Sequence, residues 1–223
     1  MKLLLWDIDG TILASGGAGM RSLENSLSSI MGFDADLSGI DWAGRTDQWI
    51  TQAIFAKYDV EPTPALANRL IDTYLAELPD HLAQSAQVLP GVRNRLAEAA
   101  ARPDVVQGLL TGNLERGAKI KLGHFDLWHH FPFGAFADDS AVRNDLGPHA
   151  LRRAAAHADH QFDPFNVWII GDTPHDIECG KVIGVRTLAV TTGHHTAAQL
   201  NLHQPDALLD DLSDETRFWN LFD

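Results

Sequence analysis

The stretch LLLWDIDGTIL, residues 3–13, guides the reading of the whole chain. Its apolar run is typical of a strand buried in a parallel sheet. The run stops at two acids one residue apart, Asp7 and Asp9, and Gly10 and Thr11 follow at once. Two like charges at the end of a core strand repel each other and lose hydration, so something must compensate for them.

The bulk composition describes an acidic globular protein. The 223 residues suit one large α/β domain, or a core domain with a smaller one inserted. A formal net charge of −13 argues against general binding to nucleic acid or to an anionic membrane surface. It does not argue against small anionic substrates, because a bound metal ion can invert the field of a site.

We expect a cytoplasmic protein. Its single cysteine, Cys179, cannot form an internal disulfide and fits a reducing compartment. No apolar run approaches the length that spans a bilayer. Nothing in the sequence calls for an obligate protein partner.

Short apolar runs recur along the chain, separated by segments with helical spacing. The runs that resemble buried strands are LLLWDI (3–8), VVQGLLT (105–111), VWIIGD (167–172) and RTLAV (186–190). Strands that alternate with helices indicate an α/β fold, a parallel sheet with helices on both faces. Residues 16–87 show helical spacing without a convincing strand. We therefore predict an α/β core over residues 1–15 and 88–223, interrupted by an all-helical domain over residues 16–87.

Polar residues follow three of the predicted strands, at the edge where ligands bind in open parallel sheets. They are Asp7 and Asp9, then Thr111, Gly112 and Asn113, then Asp172 and Asp176. Taken singly, each motif is compatible with a turn or a helix cap. Together they bring four carboxylates to one place without a lysine or arginine to neutralise them. A divalent cation explains this better, and Mg²⁺ takes oxygen ligands of this kind.

This set of groups suits phosphoryl transfer. One carboxylate can attack phosphorus and form an aspartyl-phosphate. A second acid can protonate the leaving oxygen and then activate water. A hydroxyl such as that of Thr111, together with backbone N–H groups, can hold the phosphoryl oxygens. Magnesium would offset the repulsion between the attacking carboxylate and the phosphate.

The motifs resemble those of the haloacid dehalogenase superfamily. DIDGT (7–11), LTGN (110–113) and GDTPHD (171–176) match motifs one, two and four in order and spacing. LPGV (89–92), after the helical region, is similar to the phosphoglycolate phosphatase-like members. The resemblance covers essentially the whole chain. It implies a Rossmann-like core with a helical cap, and Mg²⁺-dependent hydrolysis of a phosphate ester.

The resemblance also implies roles for individual residues. Asp7 is expected to be the nucleophile and Asp9 the general acid and base. The acid at position 9 separates this chain from the dehalogenases, which lack it. Magnesium is expected to bind Asp7, the backbone carbonyl of Asp9 and Asp172, with Asp176 supporting the site. The residues expected to contact the phosphoryl group are Gly10, Thr11, Thr111, Gly112 and Asn113.

One motif departs from the superfamily pattern. A basic residue, usually lysine, is expected before the last acidic motif, but residues 138–172 contain no lysine. The segment AVRNDL (141–146) lies at the corresponding place, so Arg143 is the candidate. Arginine keeps its charge at all relevant pH values and can hold a phosphate oxygen with two donors, so the electrostatic role is retained.

Substrate specificity is expected to come from the cap. Its loop WAGRTD (42–47), between two helices, is the expected substrate-facing segment. Arg45 could bind an anionic group of the substrate, or it could pair with Asp41 or Asp47 at the surface. Most of the 11 histidines are expected to be surface or satisfied residues, with His175 as the exception to watch because it lies inside the last acidic motif.

The leading hypothesis is a Mg²⁺-dependent phosphatase acting on a small metabolite such as phosphoglycolate or a sugar phosphate. A phosphomutase with the same intermediate remains open, since nothing in the sequence separates the two. A receiver-like regulatory module is disfavoured by the large helical insertion. A non-catalytic, partner-binding member is disfavoured by the intact acids. The physiological substrate and the oligomeric state are not determined by the sequence.

Overall fold

A computed structural model describes residues 1–222 and contains, within them, a six-stranded parallel sheet and a two-stranded ribbon. The strands in chain order are β1 (Lys2–Trp6), β2 (Leu13–Ala14), β3 (Gln87–Val88), β4 (Val105–Leu110), β5 (Gly134–Ala135), β6 (Val167–Gly171), β7 (Arg186–Val190) and β8 (Ala207–Leu209). The sheet has the order β5-β4-β1-β6-β7-β8. The prediction of an α/β fold with a parallel sheet is confirmed.

The helices surround this sheet and also fill the region between β2 and β3. In chain order they are α1 (Ala18–Met31), α2 (Asp47–Lys57), α3 (Pro64–Ser85), α4 (Val92–Ala101), α5 (Glu115–His124), α6 (Leu146–Ala158), α7 (Pro174–Ile183), α8 (Ala197–Asn201) and α9 (Glu215–Trp219). No helix in residues 1–222 has both the length and the apolar character needed to cross a membrane.

Strand β1 lies at the centre of the sheet, between β4 and β6. Its side chains alternate between two hydrophobic clusters. Leu4 and Trp6 pack on the side of α4 and α5, whereas Leu3 and Leu5 pack on the side of α6 and α7. Burial on both faces explains why this strand is a continuous apolar run rather than an alternating one. It also places the residue after β1 between the ends of two neighbouring strands.

Three of the strands end one or two residues earlier in the structure than the sequence predicts. Strand β1 ends at Trp6, β4 at Leu110 and β6 at Gly171. The residues that follow leave the ladder at these points, and their side chains enter the space above the sheet edge. The shortening is therefore part of how the site is built.

Helices α1, α2 and α3 form the expected helical insertion. Their buried residues make a hydrophobic cluster of their own, which includes Leu27, Ile54, Leu70 and Leu78. The ribbon of β2 and β3 joins them to the sheet, and Leu13 pairs there with Val88 in antiparallel register. Two closely paired chain segments thus connect the helical region to the core, which is the architecture of a cap on a core domain.

Candidate active site

The carboxyl edge of the sheet brings the acidic motifs together. Asp7 follows β1, Thr111 follows β4 and Asp172 follows β6, and these three strands are neighbours. Thr173 is the N-cap residue of α7, in a capping box that turns the side chain of Asp176 back toward the strand end. The strand order and this helix cap together bring Asp7 close to Asp176, although the two residues are far apart in the sequence.

The two carboxylate oxygens of Asp7 have different surroundings. Oδ1 accepts a hydrogen bond of 3.0 Å from the Arg143 guanidinium. Among the described residues, no hydrogen bond reaches Oδ2, and Asp7 borders a cavity. Burial raises the pKa of Asp7 to about 6 against the opposing charge of Arg143, and the charges of Asp176 and Asp9 add to the rise. One oxygen is held by a cation and the other is free to attack an electrophile.

Asp172 is the strongest indication of a cation site. It is 3% exposed, and its hydrogen-bond partner is the Thr11 hydroxyl at 3.2 Å. Burial and the nearby charges of Asp176 and Asp7 hold the pKa of Asp172 well above its ordinary value. Such a carboxylate ionises readily only when a positive charge is supplied beside it.

The donor set fits Mg²⁺. Asp7, Asp172 and Asp176 each offer a carboxylate oxygen, and these oxygens lie within 4.8 Å of one another. Glycines make room for Asp172, since a Cβ on Gly10 or on Gly193 would come within 2.3 Å or 1.7 Å of its Oδ2. A buried group of oxygen donors with an uncompensated carboxylate is what a hard divalent cation requires.

Both carboxylate oxygens of Asp176 accept hydrogen bonds from neighbouring residues. Its Oδ2 accepts hydrogen bonds from the backbone N–H of Thr173 at 3.0 Å and from the Thr173 hydroxyl at 2.7 Å. Its Oδ1 accepts a short hydrogen bond from Arg143. Both oxygens are therefore engaged, which is consistent with a supporting position behind Asp7 and Asp172.

Arg143 reaches the centre of the site, at the position where the sequence calls for a basic residue. It lies in a single 3-10 turn, Arg143–Asp145, immediately before α6, and is 7% exposed. Besides Asp7 and Asp176 it donates to the backbone carbonyl of Gly44 at 3.2 Å. Burial acts to lower the pKa of Arg143, but the two acids outweigh it and hold the pKa above its ordinary value.

A second buried cation, Lys121 on α5, was missed by the sequence analysis. Its ammonium donates to Asp9 Oδ2 at 2.6 Å and to Asn113 Oδ1 at 2.6 Å. The expectation that the acids meet without a lysine beside them is therefore wrong. The available signal was the helical face, because Lys121 shares the buried face of α5 with Ala118 and Leu122.

Asp9 is held apart from the metal-type cluster. Asn113 Nδ2 donates to the same Oδ2 that Lys121 contacts, at 2.9 Å, and also to the Thr111 hydroxyl at 2.9 Å. Burial acts to raise the pKa of Asp9, but Lys121 and Asn113 outweigh it and hold the pKa below its ordinary value. Asp7 and Asp9 thus have pKa values shifted in opposite directions by their surroundings, a pattern common where two carboxylates have different chemical tasks.

The loop of residues 42–47 lies directly over the sheet edge. The Thr46 hydroxyl donates to the carbonyl of Ala141 at 2.7 Å, and the N–H of Asp47 donates to the carbonyl of Gly112 at 2.7 Å. The carbonyl of Arg45 packs so closely on Gly112 that a Cβ there would lie 2.1 Å from it. These contacts place the helical region in a closed position over the strand ends.

A cavity of about 370 Å³ lies between the loop and the acids. The core lines it with Asp7, Asp9, Gly10, Asn113, Lys121, Arg143 and Asp172. The helical region lines it mainly with apolar side chains, namely Met20, Leu23, Trp42, Ile50 and Tyr74. Its volume falls in the range of small-molecule sites.

Arg45 also lines this cavity. Its guanidinium stacks over Trp49 at 4.5 Å from the ring centroid and lies 3.8 Å from Asp41. Its Nε is buried without a hydrogen-bond partner among the described residues. Arg45 thus lies at the cavity wall with its guanidinium between the Trp49 ring and the Asp41 carboxylate.

The other sequence candidates are distributed around the cavity. Thr11, Thr111, Gly112 and Asp176 lie behind its described lining, where they support the residues in front. The sequence analysis did not single out the loop after β7, yet Thr192, Gly193 and His194 line the cavity. His194 meets the ring of Trp42 edge-on, with 5.3 Å between centroids. His175 is half-buried, and burial together with the charge of Arg45 lowers its pKa.

Comparison with known proteins identifies the family of the chain. The model of a family described as haloacid dehalogenase-like hydrolase matches residues 4–181. The phosphoglycolate phosphatase of Synechococcus elongatus is 26% identical over 216 residues, 96% of this chain and 95% of that protein. The phosphoglycolate phosphatase of Pseudomonas putida is 24% identical over 224 residues, 95% of this chain and 77% of that protein.

Solved structures share the architecture. CbbY from Rhodobacter sphaeroides, in complex with phosphate, superposes with a TM-score of 0.75 at 17% identity, over 96% of each chain. At this identity the likeness shows the fold. The family match covers most of the chain and every acidic motif, so it confirms the resemblance that the motifs suggested. The chain belongs to the haloacid dehalogenase-like hydrolases, and within them it resembles the phosphoglycolate phosphatases.

Proposed function

We propose that the protein is a Mg²⁺-dependent phosphatase that hydrolyses a small phosphorylated metabolite through an aspartyl-phosphate on Asp7. The observation that carries the proposal is the unequal setting of the two Asp7 oxygens. Oδ1 is held by Arg143, whereas Oδ2 has no hydrogen-bond partner among the described residues, and Asp7 lines the cavity beneath the cap loop. A carboxylate fixed in this way is oriented for attack on phosphorus.

The residues of the chain divide the chemistry between them. Asp7 attacks phosphorus, and Arg143 orients it while adding positive charge beside the phosphoryl group. Asp9 gives a proton to the leaving oxygen and then takes one from water. Asp9 is ionised beside Lys121, the form that activates water. An incoming phosphate dianion raises its proton affinity by charge repulsion, which favours the acid form needed first.

The metal would be held by Asp7, Asp172 and the backbone carbonyl of Asp9, with Asp176 behind them. When bound, Mg²⁺ would offset the negative charge that accumulates on the nucleophile and the phosphoryl oxygens. The residues of the chain prepare for it by burying Asp172 without another cation at hydrogen-bonding distance among the described residues.

We propose that residues 16–87 act as the cap that excludes water and selects the substrate. The contacts of Thr46 and Asp47 with the core support this role, because they close the cavity above Asp7. The names of the relatives suggest phosphoglycolate as a first candidate substrate, and a sugar phosphate as a second. The guanidinium of Arg45, which lines the cavity, would bind the anionic group of such a substrate.

The test is phosphate release from a panel of esters that includes phosphoglycolate, sugar phosphates and p-nitrophenyl phosphate. We expect release with Mg²⁺, none with EDTA, and none from the Asp7→Asn variant. Product analysis separates the remaining alternative, since a phosphomutase returns an isomeric phosphate ester rather than free phosphate. No turnover of any ester by the folded, metal-loaded protein would contradict the proposal.

Substitution of Arg45 tests its role separately. Arg45→Met should raise KM for phosphoglycolate more than for p-nitrophenyl phosphate, which has no second anionic group. An equal change for both esters would assign Arg45 to the pairing with Asp41 instead.

A further inference from the structure

The attack of Asp7 on phosphorus, as proposed above, does not use the buried ammonium of Lys121. Its side chain is 6% exposed and projects from the inner face of α5. Burial of a lysine costs free energy unless its charge and its N–H donors are matched. The ammonium of Lys121 is stabilised by hydrogen bonds to Asp9 Oδ2 and Asn113 Oδ1, each at 2.6 Å.

The contacts of Lys121 make the two oxygens of Asp9 unequal. Oδ2 accepts from both Lys121 and the Asn113 amide. Oδ1 is buried and receives no hydrogen bond of good geometry within the described chain. The Ser15 side chain, a further polar group that interacts with Asp9, lines the same cavity. Two donors on one oxygen fix the rotation of the carboxylate, so Oδ1 is the oxygen left to exchange a proton with another molecule.

An ion pair that serves only stability is a weaker explanation. Replacing a buried pair by apolar residues of similar volume is often neutral or stabilising, so stability alone does not account for this arrangement. The acid it holds also lines the cavity, beside the carboxylate that we propose as nucleophile. The lysine therefore controls the geometry of a cavity group rather than of the core.

We propose that Lys121 is a positioning residue that, with Asn113, fixes Asp9 for proton transfer through Oδ1. The proposal rests on the phosphatase function proposed above. In the first step the ester P–O bond breaks as the bond from Asp7 to phosphorus forms, and the Asp9 proton passes to the leaving oxygen, so a neutral alcohol departs. In the second step water attacks phosphorus and gives its proton to Asp9, and the bond to Asp7 breaks to release phosphate.

This role has a kinetic signature that depends on the leaving group. An alkoxide needs a proton in order to depart, whereas p-nitrophenolate departs as a stable anion. The experiment measures kcat/KM for p-nitrophenyl phosphate and for the alkyl phosphate that the wild type hydrolyses best, in wild type and Lys121→Met. We expect a fall of about 10- to 100-fold for the alkyl ester and less than about threefold for the nitrophenyl ester.

The second step provides an independent readout. For the nitrophenyl ester, kcat/KM reports phosphorylation of the enzyme, and kcat also includes hydrolysis of the intermediate. Lys121→Met should therefore lower kcat for this ester and produce a burst of nitrophenolate before slow turnover. A merely structural role would lower the active fraction and leave the shape of the time course unchanged.

Two comparison variants sharpen the test. Lys119→Met changes an exposed lysine two positions away on the same helix and should leave both esters unaffected. Asp9→Asn should show the pattern of Lys121→Met in stronger form. If Lys121 acts through Asp9, adding Lys121→Met to Asp9→Asn should cause no further loss.

Defined outcomes overturn the proposal. Equal falls in kcat/KM for both esters by a folded Lys121→Met protein would contradict it, as would additive losses in the double variant. If Lys121→Met does not fold, Lys121→Gln, which lacks the charge and reaches one atom less far toward Asp9, must show the same dependence on leaving group. A wild type that hydrolyses no ester would remove the proposed function and this inference together. Preserved alkyl ester hydrolysis in Lys121→Met would remove this inference alone.

Discussion

The Arg143 guanidinium donates to Oδ1 of Asp7 at 3.0 Å, and both side chains are 6% exposed. The contact joins the end of β1 to the turn before α6 across 136 residues of sequence. Because Arg143 also bonds Asp176 and the carbonyl of Gly44, it connects Asp7, which we propose as the nucleophile, with Asp176 and with the loop of residues 42–47. An arginine can make these contacts at once because its donors are arranged in a planar fork.

Removal of Arg143 should weaken both stability and catalysis. Arg143→Met leaves Asp7 and Asp176 buried without their cation, and breaking a buried pair in this way typically costs about 3–5 kcal/mol. Denaturant unfolding in EDTA should show a loss of this order. Phosphate release with Mg²⁺ should fall on the order of 100-fold, because a charge beside the phosphoryl group is lost.

Two further variants calibrate this result. Arg143→Lys keeps the charge but has one nitrogen, so it should recover part of the stability and less of the activity. Arg152→Met removes an exposed arginine from α6 and should change neither quantity. Wild-type stability in Arg143→Met would show that the contact with Asp7 carries no net energy.

Gly193 should be indispensable for metal binding. A Cβ at this position would lie 1.7 Å from Asp172 Oδ2, so Gly193→Ala must displace the carboxylate. We expect weaker Mg²⁺ binding, measured by calorimetry without substrate, and a corresponding loss of phosphate release. Gly123→Ala is the matched control, because a Cβ there meets nothing within 4 Å. In its helix the alanine should be neutral or stabilising, by up to about 1 kcal/mol. Wild-type Mg²⁺ affinity in Gly193→Ala would contradict the assignment of Asp172 to the metal site.

Asp47 should make the stability of the fold depend on pH. Burial raises its pKa from 3.8 to about 6, although the charge of Lys121 and the N–H of Leu114 oppose this rise. An acid with a raised pKa in the folded state binds protons more tightly there, so wild-type stability falls as the pH rises from about 4 through about 6. Asp47→Asn does not titrate and escapes this loss.

The measurement is the difference in melting temperature between Asp47→Asn and wild type from about pH 4 to about pH 8, in EDTA. The melting temperature of the variant should rise relative to that of the wild type as the pH increases, and the difference should level off above about pH 7. The corresponding difference in the free energy of unfolding is at most about 3 kcal/mol. It should be smaller than this limit because the carboxylate is partly accessible from the cavity. Asp80→Asn, at an exposed position on α3, should show no such trend. A difference that stays constant with pH would show that Asp47 ionises as freely in the fold as in the unfolded chain.

The strands that carry the acids were predictable because each is a continuous apolar run that ends in polar residues. Their adjacency followed from the family resemblance and from the rule that parallel strands end at one edge. Strands β5 and β8, with two and three residues, were not predicted. Pairing to a neighbouring strand defines such short elements, and two or three residues carry no periodic signal.

Within the site, the motifs indicated Asp7, Asp9, Asp172 and Asp176, and they indicated Arg143 as a basic residue beside them. They gave no sign of Lys121, the cation that pairs with Asp9. Lys121 lies eight residues after Asn113 inside an ordinary helix, where a lysine is usually solvated. In the fold, the buried face of α5 that carries Lys121 packs toward Asp9, and the sequence alone does not indicate this packing. His194 was likewise hidden, because the loop after β7 meets the cap loop only in three dimensions.

The most direct test of the central claim is to trap the intermediate on Asp7. Asp9→Asn should form the aspartyl-phosphate from p-nitrophenyl phosphate with Mg²⁺ but hydrolyse it slowly, so rapid acid quenching and peptide mapping by mass spectrometry can locate the phosphoryl group. The account predicts the group on the peptide of residues 3–13, at Asp7, and none in Asp7→Asn. Nitrophenolate release by Asp9→Asn without a phosphorylated Asp7, or with the phosphoryl group on another residue, would contradict it.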